Sequence, residues 1–173
     1  MSAEHTSVPR WPGEVPEVDP SGRSYLVLSR GEEGERVARG WAEVISRAGR
    51  PLWREHGGCG EPWALSLLAE QLKAARVGTR LMVAAPELDV LDVLRVARAA
   101  GALDAELRAF VTSREQLRVY CPHCGSSTVA EVAVGETVPC AGCERTLIVY
   151  HHVSRRHGAY LAFMADAEEV VRA

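Results

Sequence analysis

The chain is predicted to fold as α/β in two parts: a small three-layer, Rossmann-like domain built on a parallel sheet, then a C-terminal antiparallel β ribbon. Three observations predict it. Short apolar runs near Ser24, Pro51, Arg80 and Glu106 alternate with amphipathic stretches, a pattern that implies right-handed βαβ crossovers and a parallel sheet covered on both faces. After Arg114 the helical period gives way to β-branched residues at Thr128 to Val134, Thr137 to Pro139 and Thr146 to Val153, the composition of short strands. Within that region CPHCG and CAGC place Cys121, Cys124, Cys140 and Cys143 as two CxxC pairs with fifteen residues between them. Paired turns of this kind direct four sulfurs at one ion, which makes the ribbon a zinc ribbon.

Taken in order, residues 1–23 form an arm in which Pro9, Pro12, Pro16 and Pro20 defeat both helix and ladder hydrogen bonding. It is expected to be extended or disordered in isolation. Its Trp11 is an anchor either on the chain's own domain, the favoured reading, or on a partner. The α/β domain spans 24–113. Tyr25 to Leu28 is a continuous apolar run of the buried parallel-strand type. Gly31 to Gly34 is read as a loop, followed by a helix whose inner face is Val37, Ala38, Trp41, Val44, Ile45 and Ala48, stopped at Gly49. A weaker strand, Pro51 to His56, leads into a glycine turn from Gly57 to Pro62. That turn opens a second helix with Leu65, Leu68, Leu72 and Ala75 on its apolar side. Arg80 to Ala85 is the clearest strand. Pro86 then starts a helix with Leu88, Leu91, Leu94, Val96 and Ala97 inward, ended by Gly101, and Glu106 to Val111 is the fourth strand.

The ribbon spans 114–166. Leu117 to Tyr120 leads into the first knuckle, Gly135 marks a turn, and Ala159 to Met164 supplies a last strand, with a helical tail from Asp166. So thin a ribbon cannot hold together on apolar burial alone, so the metal is expected to supply the missing stability. All four ligand places are filled by protein, leaving no open position for water or substrate, so the ion holds the fold instead of performing chemistry. S₄ geometry by itself does not separate zinc from iron in a rubredoxin-like cage. A pair of disulfides is the remaining alternative, disfavoured because the chain opens without a signal-type segment and a cytoplasmic location is expected to keep thiols reduced.

The formal charge is −3, and four thiolates around Zn²⁺ would bring it to −5; residues 121–173 alone carry four Arg and no Lys against six Asp and Glu. That acidity argues against gripping a phosphate backbone. No apolar run approaches the length of a membrane span.

Other chemistry is weakly signalled. The GGxGxP turn departs from GxGxxG and follows the second strand, so a tight turn without ligand is the better reading. Cys59, at the start of a helix, would have its thiol pKa lowered by the dipole, although a merely buried cysteine is the commoner case. His151, His152 and His157 are expected at surface or interface positions, with Arg155 or Arg156 offsetting thiolate charge, and His123 points outward from its knuckle. No carboxylate pair, Ser/His/Asp set or HExxH motif is present, so no catalytic residue is nominated.

The order Tyr120-Cys-Pro-His-Cys-Gly, Cys140-Ala-Gly-Cys, Leu147 to Val149, then His152-Val-Ser154-Arg-Arg-His-Gly158-Ala-Tyr-Leu-Ala-Phe163 resembles the tail of the small subunit of dimethylamine monooxygenase, the DmmA-like family. That resemblance implies an α/β domain before a zinc ribbon, with the four cysteines carried over as metal ligands. It further implies a component of a cytoplasmic, NAD(P)H-dependent, multisubunit oxygenase that converts dimethylamine to methylamine and formaldehyde. Flavin, iron–sulfur or haem centres would then reside on partner subunits. Two other readings stand beside it: a stand-alone ribbon adaptor or regulator, associated with nucleic acid or not, and an independent nucleotide-binding enzyme resting on the Gly57 turn.

Overall fold

The structure, a computed structural model, describes residues 7–166. They fall into two compact units: Trp11–Arg114, and Glu115 onward together with the first residues of the chain. The expected helical tail lies, from residue 167, outside the described residues.

The first unit alternates β1 (Ser24–Ser29), α1 (Gly31–Arg47), β2 (Leu52–His56), α2 (Pro62–Ala74), β3 (Thr79–Ala85), α3 (Glu87–Ala99) and β4 (Leu107–Val111). All strand pairs are parallel and the order is β2-β1-β3-β4. The apolar runs of the inner strands follow from this, because both faces are covered. Tyr25, Val27, Met82 and Ala84 face Val37, Ala38, Trp41 and Ile45 of α1. Leu26, Leu28, Leu81 and Val83 face Leu68 of α2 and Val90, Val93, Leu94 and Ala97 of α3. The result is three layers.

Several expectations are corrected. Gly31 to Gly34 is the first turn of α1, not a loop: Glu32 and Glu33 suit the positive end of the helix dipole. Gly34 is buried with its Cα against the Ala84 carbonyl, an approach no side chain would permit. Val44 is 50% exposed and Ala48 is exposed beyond the helix, so the α1 stripe is narrower than predicted. In α2 it is Ala64, not the exposed Ala75, that is buried with Leu68. In α3 the buried face also contains Glu87, Asp89 and Asp92, which apolar periodicity could not nominate.

From Trp11 the arm is ordered on its own unit. Trp11 packs against the α2/α3 core and donates Nε1–H to Glu87 Oε1 at 2.7 Å. Trp41 donates to the Pro16 carbonyl at 2.8 Å, Tyr25 donates to the Asp19 carbonyl at 2.6 Å, and Arg80 Nε meets Asp19 Oδ2 at 2.7 Å. Prolines prevent regular structure here, so side chains fasten the segment instead. Trp11 is thus an anchor on its own domain.

The second unit holds β5 (Gln116–Tyr120), β6 (Ser127–Glu131), β7 (Thr137–Pro139), β8 (Thr146–Ser154) and β9 (Ala159–Met164), in the order β6-β5-β9-β8-β7. The sheet is mixed, not purely antiparallel: β5 and β9 pair in parallel through Val119↔Tyr160 and Tyr120↔Leu161, while the other pairs are antiparallel. The three antiparallel pairs β5–β6, β7–β8 and β8–β9 each join consecutive strands, and the single parallel pair joins strands distant in sequence. A register shift between Val149 and Val153 lifts Tyr150, His151 and His152 out of the β8–β9 ladder. Ser7, at the start of the described chain, accepts the Val153 N–H at 2.9 Å on its Oγ.

Candidate metal centre

Two knuckles of the same design present the cysteines. In the first, the Gly125 N–H donates to the Cys121 carbonyl at 3.0 Å and the Cys121 N–H donates to the Ser126 carbonyl at 2.9 Å. In the second, the Glu144 N–H donates to the Cys140 carbonyl and the Cys140 N–H to the Arg145 carbonyl, both at 2.9 Å. The residue after each CxxC must turn left-handed to close the loop. Gly125 does so at φ 75°, and Glu144, without that freedom, at φ 60°. The second knuckle therefore stores backbone strain that the first does not.

Among the described residues, one set of three or more His, Cys, Asp or Glu side chains converges closely enough to hold an ion: Cys121, Cys124, Cys140 and Cys143, whose sulfurs all lie within 4.8 Å of one another. Across the set, Cys121 and Cys143 sulfurs are 3.8 Å apart and those of Cys124 and Cys140 are 3.6 Å apart. A tetrahedron with metal–sulfur bonds of about 2.3 Å has edges of about 3.8 Å, whereas a disulfide would need about 2.05 Å. The donor set thus fits one tetrahedral thiolate-bound ion. Zinc and iron share that bond length, so the geometry leaves the metal's identity open.

Electrostatics point the same way. The hydroxyl and N–H of Ser126 beside Cys124 bring its thiol down to about 6. The Gly142 N–H, donated to Cys140 Sγ at 3.4 Å, lowers Cys140 as well. Cys143 is helped by the Arg145 N–H, but burial and the sulfurs of Cys140, Cys124 and Cys121 outweigh it and push its thiol up to about 12. Four thiols this close titrate as a set and resist joint ionisation unless a cation sits among them. Cys121 and Cys140 are buried, Cys143 half-buried and Cys124 exposed, so the cage lies at the surface of its unit.

The remaining candidates do not join this site. Cys59 is wholly buried. Burial first, and then the carboxylates of Asp89 and Glu55, drive its thiol up, against the lowering expected from a helix N-terminus. The glycine turn spends its own donors: the Gly57 N–H goes to the Ser29 carbonyl at 2.9 Å and the Gly58 N–H to Glu55 Oε1 at 3.0 Å. Trp63 covers Gly58 and Asp89 lies against Gly60, so carboxylate and indole occupy the space a phosphate would need. His123, His151, His152 and His157 are exposed, and His157 stacks on Tyr120 with ring centroids 4.1 Å apart.

Sequence reasoning missed a polar cluster at the end of β1 and β2. Ser29 Oγ lies 3.0 Å from His56 Nδ1, and Glu35 Oε2 lies 2.9 Å from the same nitrogen, while Arg54 binds the other Glu35 oxygen. Both partners share one ring nitrogen, so the imidazole cannot relay a proton from serine to carboxylate. Their spacing, 29, 35 and 56, has no local signature. The left-handed turn at Glu144 also went unread, although its signal is in the sequence: it stands where the first knuckle has Gly125.

Among the described residues no helix is long and apolar enough to cross a membrane. The family model described as "Dimethylamine monooxygenase subunit DmmA-like, C-terminal domain" matches residues 118–163, which contain both knuckles. The "Heme-dependent oxidative N-demethylase delta subunit" of Ectopseudomonas mendocina (strain ymp) is 32% identical over 170 residues, covering 94% of this chain and 90% of that protein. No solved structure matches significantly. A match that runs through the α/β unit as well as the knuckles shows that the chain belongs to the DmmA-like family of small subunits of oxidative N-demethylases.

Proposed function

We propose that this chain is the zinc-binding, structural subunit of a cytoplasmic, multicomponent, NAD(P)H-dependent monooxygenase that oxidatively demethylates dimethylamine to methylamine and formaldehyde. Cys121, Cys124, Cys140 and Cys143 would hold one Zn²⁺, making the second unit a zinc ribbon beside a Rossmann-like first unit. The ion would neutralise part of the thiolate charge and clamp the two knuckles together. The oxygen-activating haem, and any flavin or iron–sulfur centre, would belong to other subunits; the relative's printed name calls it a subunit of a heme-dependent enzyme.

One observation carries the reading. A cage with every ligand place filled by this chain sits in a sequence aligned almost end to end with a named subunit. A closed site supports architecture, not turnover. The test is coexpression of the full chain with the remaining subunits of the N-demethylase, followed by size-exclusion chromatography and metal analysis. Co-elution with haem absorbance and one zinc per chain is expected. A chain that elutes alone, or that demethylates dimethylamine without companions, would overturn the assignment.

A further inference from the structure

The ribbon sheet is apolar on both faces. Its inner face is the expected one: Leu117, Val119, Leu147, Val149, Val153 and Tyr160 are buried. The outer face follows from register. Tyr120 pairs with Leu161 and Ile148 with Phe163, so these four side chains share a side, and the Tyr150 ring meets Phe163 edge-on at 6.0 Å. Phe163 is 40% exposed and Tyr150 41%. A solvated antiparallel face is normally polar, and a contiguous aromatic and aliphatic patch on one marks a surface that another molecule covers.

Charge indicates what kind of molecule. From Arg145 to Ala165 the sequence contains three Arg and three His and no Asp or Glu, in a chain whose formal charge is −3. The positive charge of this hairpin comes from Arg155 and Arg156, exposed in the β8–β9 turn, while His151 and His152 follow Tyr150 in the β8 bulge and His157 stacks on Tyr120. Aromatic centre and cationic rim together are the layout of a protein interface whose partner carries an apolar patch ringed by carboxylates. A nucleic acid would leave the apolar centre unmatched and would meet Glu131, Glu136 and Glu144, which are exposed on the same unit.

We infer that the outer face of the β8–β9 hairpin is the docking surface for an acidic, apolar-centred subunit of the oxygenase. This rests on the subunit assignment above and names the surface that performs it.

The test titrates the full-length chain with the purified remaining subunits of the haem-dependent N-demethylase, at low and high salt, and compares variants. Tyr150→Ser with Phe163→Ser is expected to weaken binding at least about tenfold. Arg156→Glu is expected to slow association and flatten its salt dependence. Leu67→Ser, at an apolar residue exposed on the first unit, serves as the control and leaves binding unchanged. Retained zinc content and circular dichroism show that each variant is folded. Parent-like binding by the folded patch variants overturns the docking surface while sparing the subunit assignment. Failure of the parent chain to bind any of the subunits overturns both. Salt-sensitive binding to a DNA duplex that Tyr150→Ser with Phe163→Ser leaves intact would also overturn it, by assigning the cationic rim to a polyanion.

Discussion

Gly34 and Gly40 lie two turns apart in α1, and the same substitution is predicted to act on them with opposite sign. A methyl group built on Gly34 would overlap the carbonyl oxygen of Ala84 and lie 3.1 Å from its carbon. Ala84 cannot give way, because β3 is held between Ser29 of β1 and Phe110 of β4. The helix must therefore retreat by roughly 1 Å to restore ordinary contact distances. That movement loosens Trp41, Ile45, Val37 and Ala38 from Tyr25, Val27 and Met82. Overpacking of this kind costs up to about 3 kcal/mol, and the better helix propensity of alanine returns about 1 kcal/mol, leaving Gly34→Ala about 2 kcal/mol less stable. Gly40 is exposed and nothing lies within 4 Å of the added atom. Only propensity remains there, so Gly40→Ala gains up to about 1 kcal/mol. With a urea slope of about 2 kcal/mol/M, midpoints should move about 1 M down and about 0.5 M up. A Gly34→Ala protein as stable as the parent would refute the close packing of α1 on β3.

Trp11→Phe keeps the apolar contact of the arm but deletes the Nε1–H donated to the buried Glu87 carboxylate; a loss of about 1.5–3 kcal/mol is expected, and an unchanged urea midpoint would show the arm to be incidental. Asp19 is held well below the usual carboxylate range by its hydrogen bond from Arg80, then by those from Ser21. A depressed folded pKa means the stability is present above the unfolded value near pH 4 and is lost as pH falls below it. Thermal melts of Asp19→Asn should accordingly show a shallower decline than the parent below about pH 4, and identical slopes would contradict the pairing. The Cys59 thiol, buried and pushed up, should resist iodoacetamide at pH 8 in the folded chain and react once urea unfolds it; rapid alkylation of the native protein would place it at the surface.

The legible parts of this chain are those whose cause is local. Four parallel strands and three helices follow from apolar runs and helical spacing, and the cysteine cage follows from paired CxxC turns, each closed within six residues by its own backbone hydrogen bonds. What escaped depends on contacts between distant segments. Gly34 reads as a helix breaker until β3 is brought against it. Glu87 and Asp89 read as a solvent face until Trp11 and Arg30 supply their partners, and Asp92, paired with Arg95 of its own helix, is buried beside them. The parallel pairing of β5 with β9 joins residues about forty positions apart, and no short-range turn signal can specify such a join. The outer face of the ribbon escaped for a different reason: alternation within one strand cannot tell a face covered by the chain itself from one covered by another protein.

Metal content measured against structural stability tests the central claim most directly. The account predicts one zinc ion per chain in protein purified under reducing conditions. It further predicts that a strong chelator, by removing that ion, abolishes the Tyr120–His157 stack and the ribbon's amide-exchange protection while the protection of β1 and β3 in the first unit persists. A chain that carries no metal yet keeps the ribbon equally protected would contradict it.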